Sequence, residues 1–360
     1  MRRPRIVVLF GLACLFAVAA NAAPPVAPGN EKYALQTVPF KKIQAVLTYE
    51  VTAPGLVAKE WILFAAKPPE LLGQREVSVE MAPAAVPVTD RAKENEAPLP
   101  GRTLLMARVP AGDAASKKGF KARIEYKASM YGRRLVPRDR EVRYDPVPPV
   151  EAKERKAALA STKAIDHESA EFQAWLDANK LRRKPREGEI DYARRMFLTI
   201  KRSFAYAYPP PVDRTASLTC GAKKSDCGGL SIVFCAALRA HAIPARMLVG
   251  RWTLSAEKGQ ELGGVGYYQW HAKAEFHAAG VGWVPADCSS AVLHDKVPDG
   301  LTYFGNDPGD FLTMHFDSDL EVDTIHFGRQ ALPSLQGVAF WVTGTGNLDG
   351  LQTREDWQVE

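Results

Sequence analysis

Three residues in the second half of the chain have the types and the order needed for nucleophilic catalysis. Cys227 precedes an apolar-striped segment, while His271 and Asp287 lie on two short runs separated by a tight turn. A thiolate is a strong nucleophile, an imidazole can accept and return a proton, and a carboxylate can orient the imidazole. Each residue alone is better explained as a buried thiol, a core histidine or a surface carboxylate. The three together favour a thiol catalytic site.

The segment that follows Cys227 is predicted to be a helix ended by Pro244. Its apolar-leaning positions recur at intervals of three and four, and they are Leu230, Phe234, Ala237, Leu238 and His241. The start of a helix exposes N–H groups and a positive dipole end, which stabilise a thiolate. Gly228 and Gly229 leave room there for a substrate. Cys235, about two helical turns further on, is expected to be an inert packed thiol.

A β-hairpin is predicted to bring His271 and Asp287 together. If residues 278–280 form a three-residue loop with the glycine in the left-handed conformation, His277 pairs with Val281. Counting outward from that pair places His271 opposite Asp287, where Cβ atoms lie roughly 4.5 to 5.5 Å apart. This register predicts a hydrogen bond between imidazole and carboxylate, although a proline in the second strand could shift it.

The pattern of the chain changes near residue 150. Residues 33–144 contain short runs of period-2 character separated by proline, glycine and charged turns, which predicts an antiparallel β-sandwich over 23–150. A proline-rich linker follows. Residues 151–360 then show helical periodicity followed by consecutive strands. The predicted fold class is therefore α+β, with the core of the second domain at 190–290.

The first 22 residues are predicted to be a signal peptide. Arg2, Arg3 and Arg5 precede an apolar run that ends in the small-residue pattern of residues 20–22, so cleavage is expected near Ala22. A lipid anchor on Cys14 is less favoured, because the apolar run continues past it. No later apolar run is long enough to span a bilayer. The expected location is secreted or periplasmic.

Charge and cysteine content argue against several other functions. Cleavage would remove three arginines and lower the formal charge from +6 to +3, and the basic cluster at 180–189 carries no aromatic residue for base stacking, so no nucleic-acid partner is expected. The remaining cysteines are Cys220, Cys227, Cys235 and Cys288, and their spacing does not suit zinc. No metal or cofactor is expected. An oxidising exterior could still join Cys220 to Cys227 in a disulfide.

Two segments, 226–252 and 270–287, resemble the core of the transglutaminase-like superfamily, which has a papain-like fold. The shared pattern is a Cys heading a helix that ends in an "IPAR"-type turn, then a His-Ala pair, then a Gly-Trp run leading to an Asp. The resemblance implies that Cys227 is the nucleophile, His271 the base and acid, and Asp287 the orienting residue. Lys273 stands where family members often have an aromatic residue, which affects the expected shape of the substrate channel.

The interpretation that follows is a secreted, metal-independent thiol enzyme that attacks amide bonds through a thioester. A peptidase or amidase acting on proteins or peptides, including cell-wall peptides, is the favoured form, since no channel for a lysine amine is recognisable. The alternatives are a protein-glutamine γ-glutamyltransferase that cross-links proteins and a non-catalytic binding protein with the same fold.

Overall fold

The computed structural model describes most of the chain from residue 32 onward. The described residues are 32–89, 99–139, 141–142, 144, 147–255, 261–262, 265–266 and 269–360. The predicted signal peptide at 1–22 lies outside them. Among the described residues, no helix has the length and apolar character needed to cross a membrane.

Strands form the first part of the described chain, and helices and strands mix in the rest. The first strands are β1 (Tyr33–Thr52), β2 (Leu56–Ala66), β3 (Gln74–Ala82), β4 (Val86–Thr89), β5 (Thr103–Pro110) and β6 (Gly119–Pro137). There follow α1 (Ala152–Ala157), α2 (Ala170–Ala178), α3 (Glu189–Ser203), β7 (Ala205–Tyr206), α4 (Ala216–Ala222), β8 (Lys224–Ser225), α5 (Cys227–Arg239), β9 (Ala245–Trp252), β10 (Glu261–Leu262), β11 (Val265–Gly266), β12 (Trp270–Ala278), β13 (Gly282–Ala286) and α6 (Cys288–His294). The last strands are β14 (Asn306–Asp307), β15 (Phe311–Phe316), β16 (Leu320–Asp323), β17 (Arg329–Leu332), β18 (Val338–Gly346) and β19 (Gln352–Val359). The predicted α+β class is confirmed.

Two antiparallel sheets share one apolar core in the first part of the molecule. One sheet has the order β14-β6-β1-β19 with β3 also on β6, and the other has the order β18-β2-β5-β4. Trp61 of β2 meets Phe120 of β6 with ring centroids 5.2 Å apart, and Trp357 of β19 packs against Tyr126 at 6.0 Å. The first pair joins the two sheets and the second lies within one of them, and burial of these large rings stabilises the shared core.

The two C-terminal strands complete the sandwich. Strand β18 pairs with β2, and β19 pairs with β1, so each sheet gains one strand from the end of the chain. Apolar alternation identifies a strand but not its partner, which here lies about three hundred residues earlier in the sequence. The division into domains at 23–150 and 151–360 stays a prediction.

A third sheet, separate from the two sheets of the sandwich, carries helices on one face. Its antiparallel order is β13-β12-β9-β15. Side chains alternate along β12, so Ala272, Ala274 and Phe276 join the core beneath α5, where Phe276 meets Phe234 with centroids 6.1 Å apart. The other face of β12 carries His271, Lys273, Glu275 and His277, and all four are buried.

A buried ionic cluster joins this polar face to the sandwich. Arg133 of β6 donates hydrogen bonds to Glu275 at 2.6 Å and to Asp307 at 2.9 Å. Arg246 donates to Glu275 at 2.7 Å, and the Lys273 ammonium lies 3.0 Å from Asp307. Burial would raise the pKa of both carboxyl groups, but the neighbouring cations hold each pKa below its ordinary value. The charges therefore depend on one another to remain buried.

Replacing Arg133 with Met should lower the free energy of unfolding by about 3 kcal/mol, because two buried carboxylates lose a shared cation. Chemical denaturation measures this change. Arg108→Met is the matched control, since Arg108 makes an exposed ion pair with Glu60 in the same sandwich, and its cost should stay below about 1 kcal/mol. Equal decreases in the free energy of unfolding for the two variants would show that the buried cluster does not hold the polar face of β12 to the sandwich.

Candidate active site

Cys227 begins helix α5, as the sequence predicts. The Asp226 side chain caps the helix by accepting a hydrogen bond from the Gly229 N–H at 3.2 Å. Residues 228–239 are all buried, whereas Cys227 is partly exposed. The helix ends at Arg239, and Ala242 takes a left-handed conformation before the expected proline stop. The fold therefore leaves Cys227 partly exposed to solvent and buries the remaining residues of α5.

The structure brings His271 and Asp287 into contact. The distance between His271 Nε2 and Asp287 Oδ2 is 2.7 Å. The predicted register, however, is wrong: Ala278 pairs with Gly282 and Ala274 with Ala286, so the loop is 279–281. The backbone of Gly280, at φ 70°, has the expected left-handed conformation, but it is the middle residue of the loop. The His–Asp contact is consequently diagonal rather than directly across the strands.

Asp287 lies at the start of a helix rather than within a strand. Its Oδ1 accepts hydrogen bonds from the Ser290 N–H at 2.9 Å and the Ser289 hydroxyl at 3.0 Å. Its Oδ2 accepts one from the Ser290 hydroxyl at 2.8 Å, in addition to the contact with His271. Burial alone would raise the pKa of Asp287, but the His271 cation and these donors hold it well below its usual range. The carboxylate is thus ionised and fixed in place.

The His271 ring is enclosed by aromatic side chains. It stacks on Trp252 with centroids 4.5 Å apart and meets the Phe311 ring edge to face at 5.8 Å. Burial alone would lower the pKa of His271, but the Asp287 charge and hydrogen bonds to Asp287 and Cys227 raise it above its ordinary value. Since Asp287 holds Nε2, Nδ1 is the ring nitrogen left for the sulfur. The imidazole therefore lies between the Asp287 carboxylate and the Cys227 thiol.

Cys227 opens into a cavity of about 640 Å³. Trp270 and Ala272 of β12 border the cavity opposite the helix, and Tyr206, Tyr208 and Arg214 border it near the thiol. The cavity extends to residues 318–321 and to the chain around Gln336. Lys273 is not among the lining residues, because it points to the other face of the strand, where it meets Asp307 and the Phe311 ring. Lys273 therefore contributes to the ionic contacts that support the sheet and does not form part of the cavity wall.

Sequence reasoning missed the contributions from the end of the chain. The Gln336 side chain donates hydrogen bonds to the backbone oxygens of His271 at 2.9 Å and Gly250 at 2.6 Å. Glu355 accepts hydrogen bonds from the Trp270 indole at 3.2 Å and from Arg251 at 2.5 Å. No local motif marks these residues, because their partners are 65 to 104 positions away in the sequence.

The other cysteines differ from Cys227 in burial. Cys220, Cys235 and Cys288 are buried, and burial raises the pKa of each thiol. Cys235 packs within α5, as expected, and Cys288 begins α6 rather than continuing a strand. The four cysteines within the described part of the chain are all free. The described residues contain no group of three or more His, Cys, Asp or Glu side chains arranged to hold a metal ion.

Comparisons with known proteins concern the family and the fold of this chain. A family model of the transglutaminase-like superfamily matches residues 178–288. A search of curated proteins finds no match. Among solved structures, a candidate cysteine protease from Cytophaga hutchinsonii aligns over 91% of this chain and 92% of its own, with 11% identity and a TM-score of 0.53. The periplasmic domain of TgpA from Pseudomonas aeruginosa aligns over 72% of this chain and 92% of its own, with 16% identity and a TM-score of 0.36.

At such low identity the first of these structures establishes a shared fold. The family match covers the helix of Cys227 and the hairpin that carries His271 and Asp287. The predicted core at 190–290 falls almost entirely within it. Residues 178–288 therefore form a transglutaminase-like domain.

Proposed function

We propose that this protein is a thiol-dependent enzyme that cleaves amide bonds of peptides through a thioester on Cys227. The observation that carries the proposal is the buried contact of His271 with Asp287 at 2.7 Å, beside a Cys227 thiol that interacts with the same imidazole and lies on the wall of a large cavity. The candidate N-terminal signal sequence supports export of the protein. Peptides of the cell exterior, including those of the cell wall, are the proposed substrates.

The geometry supports a two-step reaction. The Cys227 thiolate bonds to the substrate carbonyl carbon, the C–N bond breaks, and the His271 imidazolium gives its proton to the leaving amine. In the second step, the oxygen of a water molecule attacks the thioester carbonyl carbon while the water transfers a proton to His271. The C–S bond breaks, which releases the acid and restores the thiolate. Asp287 keeps the imidazole oriented and stabilises its cation in both steps.

The start of α5 provides stabilisation for the transition state. The backbone N–H of Cys227 lies at the positive end of the helix dipole, next to its own sulfur. An oxyanion formed on the attacked carbonyl is therefore stabilised by this donor. Asp226 fixes the first turn through its bond to Gly229, so the donor is held in place before substrate arrives.

Electrostatics near the thiol favour water as the acyl acceptor. Arg214 borders the cavity close enough to Cys227 for their charges to interact. A lysine ammonium that approached the thioester would meet this guanidinium and be repelled, whereas water is not. We therefore place hydrolysis ahead of transamidation. A non-catalytic binding protein is the remaining alternative, and it would not need the ordered contacts between Cys227, His271 and Asp287.

Cys227→Ala should reduce peptide cleavage by at least about a thousandfold, because the covalent route is lost. It should also abolish labelling by a thiol-directed probe of the folded protein. Cys235→Ala is the control, since that thiol is buried in the same helix. Labelling that persists in Cys227→Ala, or activity equal to that of the control, would remove Cys227 from the nucleophile role.

Asp287→Asn should lower the pKa of His271 by about 1 to 3 pH units, because the opposite charge that raises it is removed. His271 is protonated below its pKa and loses its proton as the pH rises, so the alkaline limb of kcat/KM should move to lower pH. NMR titration of labelled histidine measures the same change directly. Asp213→Asn, an exposed carboxylate on the cavity, is the control. An unmoved His271 titration in Asp287→Asn would contradict the assigned role of Asp287.

A mixed peptide library, incubated with and without a labelled primary amine, distinguishes the possible reactions. Mass spectrometry should find cleaved peptides and little incorporated amine, because water outcompetes a cationic donor near Arg214. Amine incorporation at glutamine in excess of cleavage would show a transglutaminase instead. Absence of both products from folded protein would favour the binding-protein alternative.

A further inference from the structure

Arg214 is fixed beside the thiol by one edge of its guanidinium group. Its Nε lies 2.8 Å and 2.9 Å from the two carboxylate oxygens of Asp226, and its Nη2 also donates to that carboxylate. These contacts use Nε and Nη2. Within the described parts of the chain, Nη1 has no hydrogen-bond acceptor. The Arg214 side chain is 46% exposed, whereas that of its partner Asp226 is only 2% exposed.

The arginine side chain crosses the start of the helix that carries the nucleophile. A Cβ added to Gly228 would lie 2.9 Å from Arg214 Cδ, so the glycine allows the arginine to lie directly against the residue after Cys227. Arg214, Cys227 and Gly228 all border the same cavity. The exposed part of the guanidinium is therefore within the space that a substrate of Cys227 must enter.

Asp226 cancels only part of the positive charge. Its Oδ1 also accepts a hydrogen bond from the Gly229 N–H at the positive end of α5, so its charge is shared between the arginine and the helix. At the far end of the cavity, Asp319 is paired with Arg102 at 2.8 Å. Asp213 and Glu321 also line the cavity, and their negative charges oppose the effect of Arg214 on the electrostatic potential there. Measurements with charged and neutral substrates show which effect is larger.

We propose that Arg214 is an anion subsite that binds a carboxylate of the substrate within one residue of the scissile amide. This inference rests on the proposed function, since it names the substrate class of the same site. A guanidinium held by one edge presents its remaining donors in a fixed plane, a geometry that suits a carboxylate oxygen. The carboxylate belongs either to an acidic side chain next to the scissile bond or to the free C-terminus of the residue that leaves.

Matched peptides test the proposal and separate the two sources. One pair differs only in Glu or Gln beside the scissile bond, and the other only in a free or an amidated C-terminus one residue beyond it. For at least one pair, kcat/KM of the carboxylate member should exceed that of its neutral partner by about tenfold or more, as for a hydrogen bond between charged groups. Equal rates within both pairs, or faster cleavage of the neutral members, would overturn the subsite.

Arg214→Gln should reduce this carboxylate preference by at least about tenfold. Lys163→Gln is the charge-matched control, because Lys163 is an exposed cation on the same cavity, and it should leave the preference unchanged. If Arg214→Gln instead lowers kcat/KM equally for both peptides of a pair, the arginine acts only by supporting Asp226 and the start of the helix. Thermal unfolding of each variant shows whether the fold is retained.

Binding to Cys227→Ala keeps this test independent of catalysis. Calorimetry with the same peptides should give a Kd about tenfold lower for the preferred carboxylate member, and Arg214→Gln in the same background should remove the difference. If the wild type cleaves no peptide but this difference is present, the proposed activity fails and the subsite stands. If peptides are cleaved but neither rates nor affinities distinguish the pairs, the subsite fails and the activity stands.

Discussion

The burial of ionisable side chains on one face of β12 is the constraint on which the rest of the structure depends. His271, Lys273 and Glu275 follow one another along that face, and each is buried. An unpaired charge in such a place would cost several kcal/mol, so each residue needs a partner of opposite charge. Those partners come from four different elements: Asp287 at the start of α6, Asp307 in β14, Arg133 in β6 and Arg246 in β9. Strand β12 thereby holds the Asp287 carboxylate, the sandwich and its own sheet together.

Local patterns predicted the parts of this arrangement that local physics determines. The three-and-four spacing of apolar side chains predicted the helix that starts at Cys227, and the consecutive strands predicted after it are present. The contact of His271 with Asp287 was also predicted, but from the wrong register. A three-residue loop can begin at either of two adjacent positions here, and in the structure both Gly280 and Gly282 adopt left-handed conformations. Because diagonal neighbours on a hairpin remain within reach of long side chains, the shift did not separate the pair.

Long-range contacts were beyond sequence reasoning. The pattern of residues 338–344 indicates a strand, yet nothing in it identifies β2 as the partner. The interpretation of Lys273 shows the same limit: its position suggested a change in the cavity, whereas its side chain lies on the opposite face and pairs with Asp307. Gln336 and Arg214 have no motif at all, and only the folded chain places them beside His271 and Cys227. The chemical type of a side chain identifies a candidate nucleophile, base or carboxylate in the sequence. A residue that positions such a group is identified only from its contacts in the structure.

The pairing of strands β18 and β19 with the first strands of the chain imposes an order on the assembly of the molecule. Synthesis begins at the N-terminus, and domains generally fold as their residues emerge. Residues 32–89 and 99–139 cannot form their two complete sheets early, because β1 and β2 must wait for β19 and β18. Gln336, which holds the backbone of His271, arrives with the same late segment. His271 therefore lacks this support until residues 336–359 have been synthesised and have paired with the sandwich strands, so the contacts around Cys227 are completed only late in folding.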